Sequence, residues 1–408
     1  MRRAKVSTEA DVSLEQVTAF RLARHHLDRA RRRATPGSIA EDMAGAHGQV
    51  ASAGLLSIAQ RGDDLQVERV SDALWKRREL VRVWCMRRTL HLVPSELAST
   101  FVRGTAFRAE RETNWALRAG MDRERLEELL GEVVDALAAP QTREELARSL
   151  QRRLKAPVRR AQGGGWGSRS HVPWLRVGGL DLPIGYILHL AGARGVICLG
   201  PARGAESTYV RAGAWLPDWK DTPRPEAEVD LLRRYLRSYG PATPEDYTYW
   251  TGIRATDVRA IWQRTADEIS WVRVLGQPRA VLSGDLDALL ASGPPDPEVR
   301  LLPLFDAFIL GHPDRRHLVD ARHHAAVYRP QGWVAPVVLA GGRVLGVWSL
   351  DRAAGRAIVR VTPFGALPRG RTAQLRRAGR DLAASLGMPF GEIAILPTGS
   401  APRAPPPP

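Results

Sequence analysis

With 408 residues, 44% of them hydrophobic and 25% charged, the chain has the profile of a globular protein of several compact units, not of a disordered or fibrous one. No apolar run reaches the roughly 18 residues of a membrane-spanning helix. The basic N-terminus "MRRAKVSTEADVSLEQV" lacks the apolar stretch and cleavage site of a signal peptide, so a cytoplasmic protein with no membrane contact is expected, nucleoid-associated if it binds DNA. The formal charge of +16 favours an acidic partner, above all nucleic acid, although coding bias towards arginine would also produce it.

In chain order, the first block (13–121) opens with the helical pattern "SLEQVTAFRLARHHLDR", capped by Ser13, with Val17, Phe20, Leu22 and Leu27 as its apolar stripe. A basic loop broken at Pro36-Gly37 follows, then a helix pair in "EDMAGAHGQVASAGLLSIAQR" that breaks at Gly45 and resumes after Val50. The helix "VSDALWKRREL" and the alternating segment "VRVWCMRRTLHLVP" complete a helix–helix–helix–hairpin order, that of a winged helix. The second block (122–220) repeats it. "DRERLEELLGEVVDAL" is a helix, and "QTREELARSLQRRL" a second one with Thr142 and Glu145 spaced as a capping box. The glycine-rich loop "QGGGWGSRS" leads to an apolar segment expected to be helical, and "GVICLGPARGAESTYV" reads as a wing.

In the third block (224–292), "EAEVDLLRRYLRSYG" precedes two short amphipathic helices flanking Gly252 and a hairpin "SWVRVLGQPRAVLS", a helix-turn-helix with a wing. The fourth (297–397) changes character: β-branched runs punctuated by Gly-Gly and Pro, then the helix "GRTAQLRRAGRDLAASLG", suggest a small antiparallel β-barrel or sheet. The proline-rich tail (398–408) reads as disordered. The expected class is α+β: three tandem winged-helix domains followed by a small antiparallel β-barrel.

Two constellations carry candidate chemistry. His47 and Gln49 flank Gly48 in the joint between two helices. In an extended joint, residues two apart point to the same side, whereas in a helix they would diverge by about 200°. An imidazole, titrating generally near 6.5, can accept a proton at neutral pH; a carboxamide can orient a water but not deprotonate it. The bland alternative is that His47 caps a helix or fills a core gap. The second constellation, His312-Pro313-Asp314-Arg315-Arg316, reads as a tight hairpin turn exposing His312, Arg315 and Arg316, or else as a charged turn with an Asp314–Arg315 contact. In "MRRTLHLV", strand alternation would put Arg87, Thr89 and His91 on one face, either solvated or against a nucleic-acid backbone, with Arg88 unassigned.

Other patterns point elsewhere. The glycine-rich loop lacks the lysine of a phosphate loop. His25-His26 and His323-His324 have no ligand set at metal spacing, so no metal and no cofactor are expected. Cys85 and Cys198 read as buried thiols, and Tyr247, Tyr249 and Trp250 as core.

Six segments, "RLARHHLDR" (21–29), "GAHGQVASA" (45–53), "LVRVWCMRRTLHLVP" (80–94), "GVICLGPARG" (195–204), "YLRSYGPATPEDYTYWTG" (235–252) and "LLPLFDAFILGHPDR" (301–315), resemble the AlkZ-like (YcaQ-like) winged-helix DNA glycosylases in order and over most of the chain. The resemblance implies tandem winged helices and a β-barrel arranged as a C-shaped clamp on duplex DNA. It also implies an active site at a Gln-x-Gln or Gln-x-Asp motif, which falls on His47-Gly48-Gln49. Gln49 matches; His47 and Gly48 depart from the usual glutamine and apolar residue. It further implies that the hairpin carrying His312, Asp314, Arg315 and Arg316 enters the groove beside the lesion, with His312 and Arg315 touching DNA.

The implied reaction is hydrolysis of the N-glycosidic bond of N7-alkylated purines in double-stranded DNA, with bulky adducts and crosslinks as candidate substrates. Such a purine leaves as a neutral base, so a held water and stabilisation of the oxocarbenium-like sugar suffice. None of Lys5, Lys76, Lys155 and Lys220 lies beside the motif to form a Schiff base, so a monofunctional, monomeric enzyme leaving an abasic site is expected. Self-resistance to a genotoxin is a further role the resemblance suggests. The competing readings are a non-catalytic winged-helix DNA-binding protein or transcriptional regulator, and an RNA-associated basic protein; the latter lacks an RNA-binding motif.

Overall fold

The computed structural model describes residues 10–28, 33–162, 171–216 and 219–398. Residues 163–170 of the glycine-rich loop and all but the first residue of the proline-rich tail lie outside them. The chain divides into two units: the described residues up to Lys76 with those from Val229 onward, and Arg77–Glu228.

In the first unit, helix Leu14–Arg24 begins at a complete capping box in which the Gln16 amide donates to Ser13 Oγ at 3.1 Å. It ends sooner than its apolar stripe suggested, because His26 turns into the left-handed region (φ 52°). Val17 and Phe20 do not pack on their sequence neighbours. They join Val272, Val274, Val281 and Leu289 in a small core, and strand Ala10–Val12 pairs in parallel with Ile269–Val274. The N-terminal helix is thereby fastened to the third block's hairpin, Ile269–Val274 with Gln277–Leu282. Before that hairpin come helices Arg224–Tyr239, Pro244–Thr251 and Ala255–Arg264, the three-helix order expected. Thr243 and Asp246 cap the middle one reciprocally and Gly252 ends it at φ 73°. Tyr247 and Trp250 are core, as read from their spacing; Tyr249 is only half-buried and its hydroxyl accepts from Arg315.

The β unit corrects the expected antiparallel barrel. Its five strands form an open sheet in the order Val299–Leu302, Val337–Ala340, Arg343–Ala353, Arg356–Pro363, Phe390–Ile395, and the last pair is parallel. The reason is the intervening helix Arg371–Ser385, a crossover that makes a parallel partner possible. Its Leu375, Ala378 and Leu382 pack on Val299, Leu301, Val359 and Val361, covering one apolar face so that closure is not needed to bury it.

In the second unit, helices Arg123–Ala136, Arg143–Leu154 and Ile184–Ala193 enclose a core that includes Leu126, Leu129, Val133, Leu146, Leu150 and Leu188. The Thr142–Glu145 capping box is formed. The apolar segment after the glycine-rich loop contains the expected helix, Ile184–Ala193, but opens with an antiparallel strand pair, His171–Val177 with Leu180–Pro183. Cys85 and Cys198 are buried free thiols, and burial pushes Cys198 up to about 12. Among the described residues, no helix is long and apolar enough to cross a membrane.

Candidate active site

The joint at residues 43–50 lies between helices Pro36–Asp42 and Ala51–Ala59. Helix Pro36–Asp42 stops because Ala44 (φ 51°) and Gly45 (φ 89°) both turn left-handed, and the Gly45 amide closes back on Ala40 O at 2.8 Å. Ala46 and His47 are then extended, and helix Ala51–Ala59 begins only after Val50 (φ −103°, ψ 102°). The joint is therefore non-helical, extended at Ala46–His47 and bent at Gln49 and Val50. His47 is only 7% exposed and Gln49 is half-buried.

What the sequence did not reveal is the wall behind His47. Its imidazole stacks on Phe305 with ring centroids 4.7 Å apart and planes 28° apart, and Phe305 in turn lies 5.4 Å from Trp333. Phe305 sits at φ 57°, a conformation that costs a bulky residue about 1–3 kcal/mol unless its surroundings enforce it. The next residue supplies the enforcement. Asp306, fully buried, accepts from both terminal nitrogens of fully buried Arg61 (2.8 and 3.0 Å), from Ser57 Oγ (2.7 Å) and from the Phe308 amide (3.0 Å). Arg61 also donates to the carbonyls of His25 and Ser57. Both carboxylate oxygens and all three guanidinium nitrogens of this ion pair thus have partners within the core, the condition for burying charge without a large penalty. A lone aspartate inside the apolar run "LLPLFDAFIL" was the available signal: it demanded a buried cation somewhere.

The segment 311–320 corrects the expected exposed hairpin. It contains no strand; the Arg316 amide donates to Asp314 Oδ1 at 3.1 Å, and the Leu318 and Val319 amides both donate to Arg315 O at 2.9 Å. Pro313 donates nothing to a ladder, and the Asp314 side chain replaces it with a local turn. His312 is buried, its Nδ1 3.5 Å from Asp246 Oδ1. Arg315 is half-buried, its guanidinium 3.7 Å over the Tyr328 ring. Arg316 alone of the three is strongly exposed, and it, not Arg315, pairs with Asp314 (2.6 Å).

In the second unit, the single polar face expected for Arg87, Thr89 and His91 is also corrected. Strands Leu80–Trp84 and Leu90–Pro94 form a hairpin whose connection holds Arg87 (φ 53°) and Arg88 (φ 60°) left-handed. Alternation needs continuous β backbone, so it fails there. Arg87 sits at the corner, the Thr89 hydroxyl bonds back to Met86 O (3.0 Å), and His91 is buried on the strand. Arg88, unassignable from sequence, pairs with Glu112 at 2.8 Å; Glu112 also holds His189 at 2.9 Å. Among the described residues, no group of three His, Cys, Asp or Glu could hold a metal ion.

The AlkZ-like DNA glycosylase family profile matches residues 40–385, which includes both the joint and the Phe305–Asp306 wall. The chain belongs to the AlkZ-like DNA glycosylases. Members of this family are hydrolases of N-glycosyl bonds, and DNA is the family's substrate. An interstrand DNA cross-link repair glycosylase of Streptomyces sahachiroi is 31% identical over 362 residues, covering 86% of this chain and 91% of that protein. The solved structure of the Streptomyces sahachiroi DNA glycosylase AlkZ superposes with a TM-score of 0.76 at 27% identity, covering 95% of this chain and 100% of the other. Its mixed α+β fold is the fold of this chain.

Proposed function

We propose that the protein is a monofunctional glycosylase that removes N7-alkylated purines from duplex DNA and that His47 and Gln49 hold the attacking water. The observation that carries this reading is the non-helical joint with His47 pressed against Phe305. Stacking fixes the plane of the imidazole, and positioning is most of what this reaction needs. The water oxygen attacks C1′ as the C1′–N9 bond breaks. The bonding pair leaves with the purine, cancelling its cationic charge, and the water proton passes to the neutral imidazole or to solvent. Gln49 orients the water. None of the four lysines, Lys5, Lys76, Lys155 and Lys220, falls in a matched sequence segment beside the motif, which supports an abasic site in an unbroken strand as the product.

Bulky adducts and interstrand crosslinks belong to the proposed substrate range, the latter because a relative's name carries that activity. Self-resistance to a DNA-alkylating genotoxin follows as a role. The DNA contacts proposed are the exposed Arg316 and the corner residue Arg87, supported by Asp314, His312 and Arg315 in one segment and by Thr89 and His91 in the other. The domain reading, three winged-helix blocks followed by a β unit and acting as a monomer, is part of the same proposal.

The test uses duplex DNA carrying N7-methylguanine or a bulky N7 adduct, with abasic sites revealed by alkali. His47→Ala and Gln49→Ala should each lower single-turnover excision by about 10²-fold or more while leaving duplex affinity within a few-fold. Equal base release by the double variant would remove the site assignment. Covalent trapping by borohydride would refute the monofunctional mechanism.

A further inference from the structure

Within the first unit, a cavity of about 330 Å³ opens between helix Leu14–Arg24, the hairpin Ile269–Leu282 and the 312–317 segment. Its lining is unusual for a gap between core elements, because Arg21, Asp246, Arg279, His312 and His317 all face it, with Arg316 and Arg343 also among its walls. Four guanidiniums against the carboxylates of Asp246 and Asp314 leave it cationic.

Two of its polar groups have unused capacity. Arg21 is 93% buried and donates from Nε to Gly240 O (3.3 Å) and from Nη2 to Pro241 O (2.8 Å); among the described residues its Nη1 has no protein partner. His312 is 94% buried with Nδ1 turned to Asp246, and among the described residues its Nε2 has no hydrogen-bond partner. For His312 Nε2, a buried atom, the missing partner costs about 1–3 kcal/mol unless a ligand supplies it. Asp246 is not that partner for a ligand. Its Oδ2 already receives the Thr243 amide (2.9 Å), the Thr243 hydroxyl (3.2 Å) and Arg279 (2.9 Å), and its Oδ1 faces His312 Nδ1.

We propose that this cavity binds a phosphate group. The shared chemistry fits a free phosphate and a DNA backbone phosphodiester alike: a tetrahedral oxyanion accepting from Arg21 Nη1 and from guanidiniums of the wall, with His312 and His317 beside it. The two sources differ by a proton. Hydrogen phosphate carries its own P–O–H donor to His312 Nε2, whereas a phosphodiester carries none and requires His312 to take up a proton. Burial, and after it the charge of Arg21, hold His312 down to about 4 and His317 down to about 3, so both imidazoles are neutral in the empty cavity. The groups facing His312 are Arg21, Asp246, Arg279, His317 and the rings of Tyr235 and Tyr239, and a bound anion offsets the cationic ones. Phosphodiester binding therefore strengthens as pH falls from neutrality.

Only the duplex arm of the inference leans on the DNA-binding proposal above; the free-phosphate arm needs neither DNA nor base excision. The experiment follows the imidazole ¹⁵N resonances of the full chain during titration with inorganic phosphate and, separately, with a lesion-free duplex. The expected result is a saturable shift of His312 and His317 together, with at least fivefold weaker phosphate affinity in His317→Ala and in Arg343→Ala. Circular dichroism and an unchanged urea midpoint check that both variants fold. If the duplex moves the same resonances and displaces phosphate, the source is backbone; if phosphate alone moves them, it is a free phosphate. Absence of any saturable shift with either probe, or unchanged affinity in both folded variants, overturns the proposal. Loss of excision in His47→Ala does not bear on it.

Discussion

Phe305 and Asp306 are adjacent residues with opposite burdens. One holds a strained backbone to place a ring on His47; the other anchors that backbone through Arg61. Breaking the pair from one side leaves an uncompensated charge in the core, for which about 3–5 kcal/mol is the expected loss. Arg61→Leu should lower the unfolding free energy from denaturant titration by that amount, and Arg61→Leu with Asp306→Leu by markedly less, because no charge is then stranded. Phe305→Leu tests the stack itself. It keeps an apolar side chain but forfeits the ring contact, worth about 0.5–1.5 kcal/mol. Excision should fall more than stability does, read as single-turnover rate against urea midpoint. An unaltered rate would show that the stack is packing alone.

At the scale of elements, the open sheet depends on close approach at one glycine. A Cβ built at Gly346 would lie 2.5 Å from Thr362 O on the neighbouring strand, and a backbone oxygen cannot move aside as a flexible side chain can. Gly346→Ala should therefore destabilise by about 1–3 kcal/mol in denaturant unfolding. Thr142→Ala is a milder case. Removing the hydroxyl that caps Arg143–Leu154 should cost about 1 kcal/mol and leave the rest of that unit's core intact. Local rules performed well here. Ser13 and Thr142 head the helices their spacing announced, and Thr243 caps a third in the same way. They failed where a backbone sign changed within a polar run: at Arg87-Arg88 and around Asp314, nothing in the side chains marks the turn from strand to corner.

For the molecule as a whole, titration gives a signed expectation. His25, His312 and His317 are all held below the ordinary imidazole value, His25 well below it, chiefly by burial. The unfolded chain binds their protons near 6.5, before the folded chain does. Stability from these groups is thus fully present above pH 6.5 and is lost as pH falls towards about 4 for His312 and about 3 for His317. Each contributes up to about 1.4 kcal/mol per pH unit in that window. Urea midpoints should drop between pH 7 and pH 5; a flat profile would mean these imidazoles are not buried neutral. The charge of +16 carries a second expectation. Duplex affinity should fall steeply with salt, and Arg316→Ala should reduce the slope of log K against log salt by about one unit if that residue meets a phosphate.

The sequence by itself determined the α+β class, the three-helix order before the third hairpin, the capped helix starts and the break that frees His47 and Gln49 from a helix. Those features rest on periodicity, capping and glycine backbone freedom, and each acts within a few residues. Tertiary structure alone decided that an arginine 245 residues from Asp306 would brace the ring behind His47. It also decided that a crossover helix would leave the sheet open, and that His312 would turn inward to Asp246 rather than outward. A buried charge advertises that it needs a partner, but the partner's address is set by how distant elements pack, and no local pattern encodes that.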